Sequence, residues 1–585
     1  MKNKIIILTF AFSLLFIHNC TDLEEIRLDE AAFGEQAETI SGALAPAYGY
    51  ISWTWRHTNY YGLQLIASDE AILPYRGGTD WYDGGKFLAT HKHTITPSNS
   101  LVRDAWNRIT TNLSRTLSAI EVLTPLAEEG NAEASGALYE MIALRGYLNL
   151  LMLDGWGLVI KKESSIDLSE ILKGQDAIDN IANDLNSVVD KINTNKSPGR
   201  LSQSAVWGFL ARLHLNAAVY RDPYGTPSFS PDDMDKVIEF TTNIISSNKF
   251  SLSSEYFDLF NDENNSNQEL IFALDQRGVL KREHSRWAYW SLAGSWFPRP
   301  EFPSADGTDG PAITSDFYQT WVDAYGDVDP ADADARFYKK NINIPAEVLT
   351  DFEGRSNLLE SETEDSYFCV APDDFEIDRG IIRGTLWGPR KDSEGNFETC
   401  DEGVKIMPVK QRKGNGPDRD VGYVKHTETV DFTNEGSYHN TGYRVSKYQF
   451  SRTSPNGNNF SSVDLVLMRL AEIYLMRAEA KLRKGDSAGA LVDVNAIRAS
   501  RDARPSQTPA PLTSIDIESM YRERGFELYW EGFRRTDQIR FGKYEDAWTE
   551  KTDSNVNSRL FPIPQSAVDA ATGNSSFNLE QNQGY

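Results

Sequence analysis

The sequence holds only three cysteines in 585 residues, too few to build a disulfide scaffold, so the fold has to rest on a buried apolar core. Positive charge is also scarce: 59 Lys and Arg face 85 Asp and Glu, a net charge of −26. Nucleic-acid binders meet phosphates with a basic stripe, so nucleic acid is excluded as a partner. Beyond the first twenty residues no apolar run reaches the ~20 residues of a membrane-spanning helix. Two catalytic signatures are missing as well: a Gly-rich phosphate loop ending in Lys and Ser or Thr, and a Gly-x-Ser-x-Gly nucleophile turn. What the chain has in plenty is rings. Its 13 Trp, 25 Tyr and 28 Phe exceed the needs of a core this size, leaving some rings available to face a ligand.

The amino terminus has the pattern of an export signal. Lys2 and Lys4 precede an apolar run from Ile5 to Ile17, which ends at His18, Asn19 and Cys20. The run is too short to span a bilayer, and a basic start with a short apolar core describes a secretory leader. A lone Cys closing such a leader marks a bacterial lipoprotein, with Cys20 as the lipidated first residue. The plainer alternative is an ordinary signal peptide cleaved nearby. The acidic stretch Thr21-Asp22-Leu23-Glu24-Glu25 would be repelled by anionic headgroups, so it is not a membrane-binding arm. Export places the chain in an oxidising compartment where Cys369 and Cys400 are free to pair, although spacing alone leaves that open.

Helical periodicity dominates two regions, residues 38–254 and 451–585, with 1–19 as leader and 20–37 as tether. In the first, Val102–Leu123, Ala132–Leu153, Ala177–Ile192, Ser204–Tyr220 and Met234–Ser246 carry apolar residues at three- and four-residue spacing. Ser204-Ala205-Val206-Trp207 and Ser230-Pro231-Asp232-Asp233 read as helix starts. In the second, small residues Ala478 and Ala480, the turn Gly485-Asp486 and a following helix from Ala490 resemble a tetratricopeptide hairpin, without a strict repeat. Residues 255–450, rich in Gly, Pro, Asn and Asp, form an ordered, loop-rich insertion with short apolar strands near Leu270–Leu274 and Tyr443–Val445. The predicted fold is mostly α-helical: a scaffold of helical hairpins carrying a loop-rich insertion that holds the binding residues.

The charged run Glu523–Arg540 invites an acid–base reading. Helical spacing gives a simpler one, with Arg524–Glu527, Glu531–Arg534, Glu531–Arg535 and Asp537–Arg540 as ion pairs along a structural helix. Ring-bearing loops are the better candidates for binding. Trp287, Tyr289, Trp290 and Trp296 crowd a segment punctuated by Gly294, Pro298 and Pro300. Trp81 and Tyr82 lie in a second Gly-rich segment with Arg76 and Asp80 as hydrogen-bonding neighbours. A sugar ring offers an apolar C–H face edged by hydroxyls, which suits flat aromatic platforms flanked by such groups. The bland alternative for each ring is a folded-in aromatic core. His91 and His93, with Asp80 or Asp83, make a weak metal pattern for want of a third fixed ligand, and a surface or packing role is expected instead. Asp262 and Glu263, or Asp327 with Asp329, Asp332 and Asp334, offer oxygen ligands without the order of a calcium loop. No metal or cofactor is expected.

Several segments together resemble the SusD/RagB family of outer-membrane nutrient-binding lipoproteins of Bacteroidetes. They are the Cys20 leader, Ala143-Leu144-Arg145-Gly146-Tyr147 through Asp154-Gly155-Trp156-Gly157, Tyr256-Phe257-Asp258-Leu259-Phe260, and Gln268-Glu269-Leu270-Ile271-Phe272. The longest match runs from Glu523-Arg524-Gly525-Phe526-Glu527 to Gln538-Ile539-Arg540, and Leu560–Pro564 and Leu579–Tyr585 extend it to the carboxyl end. The resemblance implies a non-enzymatic surface protein that captures oligosaccharides and serves as the lid of a SusC-like TonB-dependent transporter, held by its amino-terminal lipid on the outer membrane and facing the exterior. The acidic stretch after Cys20 resembles the tether that directs such lipoproteins outward. The loop corresponding to Arg76–Tyr82 carries ligand contacts in several family members, which raises Trp81 above the other rings. A surface glycoside hydrolase, needing two carboxyls ~5–9.5 Å apart, and a ligand-free helical scaffold are the rivals.

Overall fold

The structure, a computed structural model, describes residues 36–74, 85–276, 287–288, 290–292, 307–350, 367–392, 394, 396–401, 403–409, 424–430, 441–452, 454, 461–572, 577 and 579–585. Helices α1 (Gln36–Thr54), α2 (Ser100–Glu128), α3 (Ala132–Trp156), α4 (Gly174–Val188), α5 (Gln203–Arg221) and α6 (Pro231–Ser246) build the first half. Each start has a local cause. The Asn99 side chain accepts from the backbone N–H groups of Leu101 and Val102, and Asn131 caps α3 in the same way through Ala134. Ser230 caps α6 and Pro231 occupies its first position, as expected. Helix α5 begins one residue earlier than its sequence signal, and its preceding Ser202 makes no side-chain cap. Helix α3 ends where Gly157 turns left-handed at φ +67°, with the Leu560 side chain 2.6 Å from where a Cβ would sit.

Neighbouring helices pack as hairpins: α2 on α3, α5 on α6, and α1 along α2. After the insertion come α8 (Leu470–Arg483) and α9 (Ser487–Ser500), joined by a turn in which Gly485 adopts φ +87° and Asp486 caps α9 through the N–H of Gly489. This is the tetratricopeptide-like pair, with Ala471, Ala478 and Ala490 buried where the two approach. The main core fills the space between these pairs. Tyr147 stacks on Phe209 at 4.6 Å and meets the edge of Phe272 at 5.9 Å. No helix among the described residues is long and apolar enough to cross a membrane.

The insertion is tied to the scaffold at both ends. Strand Leu270–Leu274 pairs antiparallel with Leu465–Arg469, and every residue of both is buried. The short apolar piece around Arg444–Ser446 is also a strand, joined to Arg379–Ile382 and through it to Tyr338–Lys339. Between them the loop-rich stretch contains more sheet than its sequence suggested. Strand Gly403–Pro408 pairs with Phe368–Val370, Trp387–Pro389 and Thr399–Cys400, and a disulfide joins Cys369 to Cys400. A separate small core of Phe375, Ile382, Trp387 and Ile406 lies beneath this sheet. Helix α7 (Ser315–Tyr325) presses Phe317 and Trp321 into the main core, with Trp321 stacked on Phe526 at 3.7 Å.

The charged run departs from its helical reading. Helix α10 (Ile517–Leu528) stops, Trp530 and Gly532 take φ +57° and +82°, and α11 (Arg534–Arg540) starts again. The break removes helical register between Glu531 and its predicted partners Arg534 and Arg535, while Arg524 and Glu527, both on α10, turn to other partners. Asp537–Arg540 forms, at 2.7 Å, but Arg524 turns to Asp537 at 2.8 Å and Arg534 to Asp69 at 2.7 Å. Arg535 donates instead to the carbonyls of Asp154 and Arg559. Glu527 receives Arg469 at 2.6 Å and Arg501 at 2.5 Å; Glu531 receives Arg469 at 2.8 Å and Lys447 at 2.7 Å. Glu527, Glu531 and the Arg469, Arg501 and Lys447 groups that meet them are all buried. Removing them from water costs each charge, and burial alone would raise both glutamates. The surrounding Arg and Lys groups outweigh that cost and hold Glu527 and Glu531 below the usual carboxylate range.

Candidate functional site

Of the eight residues predicted to touch ligand, Arg76, Asp80, Trp81, Tyr82, Tyr289 and Trp296 lie outside the described residues, as does Cys20. The structure describes Trp287 and Trp290 and corrects their assignment. They are only 6% and 1% exposed. Trp287 stacks on Tyr61 at 3.8 Å, stands edge-on to Tyr448 at 5.1 Å, and donates its indole N–H to the carbonyl of Trp55 at 3.2 Å. Trp290 packs among His57, Tyr61 and Phe87. With both faces taken by protein, these rings hold the insertion to the scaffold and offer no platform. Gly and Pro density had marked the turn; it carries no information on which way a ring points.

The flanks of the two ring-bearing segments meet in one frame. Ala71 pairs with Ile313 and Ile72 with Ala312. The Thr314 hydroxyl donates to the carbonyl of Asp69, and the N–H of Ile313 donates to the carbonyl of Tyr443 at 3.0 Å. On the other flank, Asp309 and Gly310 donate to the carbonyls of Leu292 and Trp290 at 2.8 and 2.9 Å. The Ser291 hydroxyl donates to the carbonyl of Pro311 at 2.8 Å and accepts from the N–H of Val445 at 2.9 Å. Residues 69–72 and 290–292 therefore belong to a single hydrogen-bonded base.

A cleft of about 340 Å³ opens beside that base. Helix α7 contributes Asp316, Thr320 and Asp323, four and three residues apart and so on one face. Opposite stand Tyr521, Arg522, Lys543 and Trp548. Arg534 closes the floor: its guanidinium grips both oxygens of Asp69 at 2.7 and 2.8 Å and lies 4.0 Å over the Tyr521 ring. Burial opposes the charge on Arg534, but the Asp69 carboxylate more than offsets it and holds the guanidinium firmly protonated. Asp316 accepts from the backbone N–H of Thr549 at 2.6 Å, which fixes the wall that carries Trp548. Behind it, the Nε2 of His91 faces the Thr549 carbonyl at 2.6 Å and its Nδ1 faces the carbonyls of Ile66 and Ala71. His93 stacks on Tyr544 at 4.5 Å. Both histidines have packing roles, and burial lowers both rings, His93 to about 4. Glu70, beside Asp69, is 1% exposed; burial raises its carboxyl to about 8, and it accepts from the N–H of Trp530 at 2.8 Å.

The other flank of α7 bears Tyr318, edge-on to the half-buried Tyr443 at 4.9 Å. Arg383 donates to the Tyr318 hydroxyl at 3.2 Å and to Asp329 at 2.9 Å. Charged hydrogen-bonding groups interleaved with ring edges suit a ligand dense in hydroxyls. Sequence reasoning missed Asp316, Asp323, Lys543, Trp548 and Arg383. The four-and-three spacing on α7 was the one available signal; the others come from segments with no period of their own. The acidic runs considered for calcium are engaged locally. Asp262 accepts from the Ser451 hydroxyl at 3.0 Å, and Asp334 grips Arg336 at 2.6 Å.

The model of the SusD family matches residues 239–585. This chain belongs to the SusD family. The starch-binding protein SusD of Bacteroides thetaiotaomicron is 27% identical over 440 residues, 73% of this chain and 68% of the relative. Among solved structures, a laminarin binding SusD-like protein superposes with a TM-score of 0.62 at 16% identity, covering 93% of this chain and 99% of the other. Surface glycan-binding protein A from Bacteroides thetaiotaomicron, in complex with laminarihexaose, gives a TM-score of 0.59 at 17% identity, with 93% and 99% covered. At these identities the solved structures establish a shared SusD fold. The mostly helical hairpin scaffold with its loop-rich insertion is that fold.

Proposed function

We propose that this SusD-family chain is a surface glycan-binding protein rather than an enzyme. Anchored through lipidated Cys20 to the outer membrane and facing outward, it captures oligosaccharides and passes them to a SusC-like TonB-dependent transporter, over which it acts as lid. Trp81 and Tyr82 supply platforms, Arg76 and Asp80 the flanking hydrogen bonds, and Tyr289 and Trp296 further rings from the second segment. The reading is carried by the family match over residues 239–585, whose relatives include proteins named for binding starch and laminarin. The common base that joins the flanks of the two segments supports it, because rings from both would rise from one rigid floor. Each stacked ring contributes on the order of 1–2 kcal/mol, so micromolar to millimolar affinity is expected after the cost of ordering.

Native gel retardation across soluble polysaccharides, starch and laminarin included, tests the reading. Slowed migration in at least one glycan, with no shorter products released, is the expected result. Migration unchanged in all of them removes the glycan reading, and steady release of shorter chains replaces it with a hydrolase.

A further inference from the structure

The cleft beside Asp69 carries a charge of its own. Five carboxylates line it, those of Asp69, Asp316, Asp323, Glu518 and Asp546, against three cations, Arg522, Arg534 and Lys543. Two pairs close on themselves: Arg534 holds Asp69 at 2.7 Å, and Lys543 meets Glu518 at 2.9 Å. That leaves Asp316, Asp323 and Asp546 against Arg522, a surplus of negative charge.

The hydrogen-bonding groups left over are of both kinds. Asp316 spends its Oδ2 on the N–H and hydroxyl of Thr549, and Asp323 spends its Oδ1 on the side chain of Gln319 at 2.7 Å. The second oxygen of each accepts no hydrogen bond among the described residues, and neither does the exposed Asp546 carboxylate. On the floor, Gln538 is 1% exposed and its Oε1 accepts from the N–H of Asp69 at 3.3 Å. Its amide nitrogen, a donor, has no partner among the described residues. Acceptors and a donor converging on one space suit hydroxyl groups, each of which both donates and accepts. The rings here are covered: Arg534 lies 4.0 Å over Tyr521, and Lys551 lies 4.0 Å over Trp548, which is 7% exposed. A ligand in this cleft is held by hydrogen bonds, not by stacking.

We propose that the cleft is a second saccharide subsite, apart from the ring-bearing segments, and that Asp316, Asp323 and Asp546 make it selective for uncharged sugars. The inference rests on the glycan-binding reading above. A neutral sugar donates hydroxyl protons to the uncommitted carboxylate oxygens and accepts from Gln538, and bonds to a charged acceptor are the stronger kind. A uronic-acid residue brings a carboxylate that only accepts into a space already negative, and is repelled. At about 340 Å³ the cleft lies at the small end of ligand sites, so it takes a short stretch of a glycan chain.

The test is native gel retardation of the full chain at low ionic strength, where charge is least screened. Starch, laminarin, xyloglucan and galactomannan are the neutral probes, and polygalacturonate and alginate the acidic ones. At least one neutral polymer should slow the parent and neither acidic one should. Asp323→Ala with Asp546→Ala should weaken affinity for the best neutral glycan about tenfold at an unchanged thermal midpoint. Asp323→Lys with Asp546→Lys should gain retardation by polygalacturonate. Glu128→Lys with Glu129→Lys, the same charge change on exposed residues at the end of α2, should not. Three results overturn this inference alone: a parent slowed as much by acidic as by neutral polymers, an Ala pair that binds like the parent, or both Lys pairs gaining polygalacturonate equally. Retardation of the parent by none of the polymers overturns the glycan reading, and this inference with it.

Discussion

Two regions of this SusD-family chain use the same residue types to opposite ends. Around Glu527, guanidinium and carboxylate groups are sealed from water and each finds a partner of opposite charge; beside Asp69, similar groups line an open cleft of about 340 Å³. A buried ion cluster commits its charges to one geometry, because any group left alone there pays the full cost of desolvation. An open cleft keeps its charged groups within reach of solvent or of a ligand. The rings divide in the same way. Trp287 and Trp290 are spent on the core, and the capture role proposed here falls to Trp81 and Tyr82. Composition treats all four alike; burial assigns Trp287 and Trp290 to the core.

Substitutions can break or sharpen this contrast. Trp290→Ala should cost ~3–5 kcal/mol in chemical denaturation, because it empties a filled space between Tyr61 and Phe87. A stable variant with weakened glycan binding would move Trp290 to the ligand side. Arg469→Met should cost a similar ~3–5 kcal/mol, since Glu269, Glu527 and Glu531 all lose a cation. A change below 1 kcal/mol would mean the cluster is far wetter than its burial indicates.

Glu70→Gln probes the boundary between the regions. Its carboxyl, raised by burial from 4.5 to about 8, stays protonated in the folded chain where the unfolded chain has lost its proton. The associated stability is complete below pH 4.5 and is lost as pH rises to about 8. The neutral amide escapes that loss, so the variant should gain on the parent by on the order of 1–3 kcal/mol between pH 5 and pH 8, measured by thermal melts in matched buffers. A constant difference across that range would show that Glu70 ionises normally. Smallest of all, Asp323→Asn in the cleft should change stability by less than about 0.5 kcal/mol, as exposed polar positions do.

Much of the scaffold was legible before the structure. Apolar spacing located α2, α3 and α6, and Ser230-Pro231 marked the start of α6, because helical faces and caps are local properties. The sheet on Gly403–Pro408 was not legible: its partner strands are two or three residues long and owe their pairing to distant chain. Spacing left open the Cys369–Cys400 link, which depends on that sheet. Within the charged run, one predicted pair in four formed: the left-handed turn at Trp530 parts Glu531 from Arg534 and Arg535, and Arg524 and Glu527, both on α10, are taken by Asp537 and Arg469. For the site, the sequence singled out ring-bearing segments but could not assign Trp287 and Trp290 to the core. It gave no hint that α7 and the Lys543–Trp548 stretch form a common cleft.

The central claim is that rings rising from a rigid base beside Asp69 capture saccharide without contributing to the fold. Calorimetric titration of the parent and Trp81→Ala with an oligosaccharide of the best-retarding glycan, run with a thermal melt of each, tests it most directly. The account predicts affinity weaker by about tenfold, equivalent to ~1–2 kcal/mol, at an unchanged melting temperature. Intact affinity with a lowered melting temperature would contradict it, placing Trp81 with Trp290 in the core.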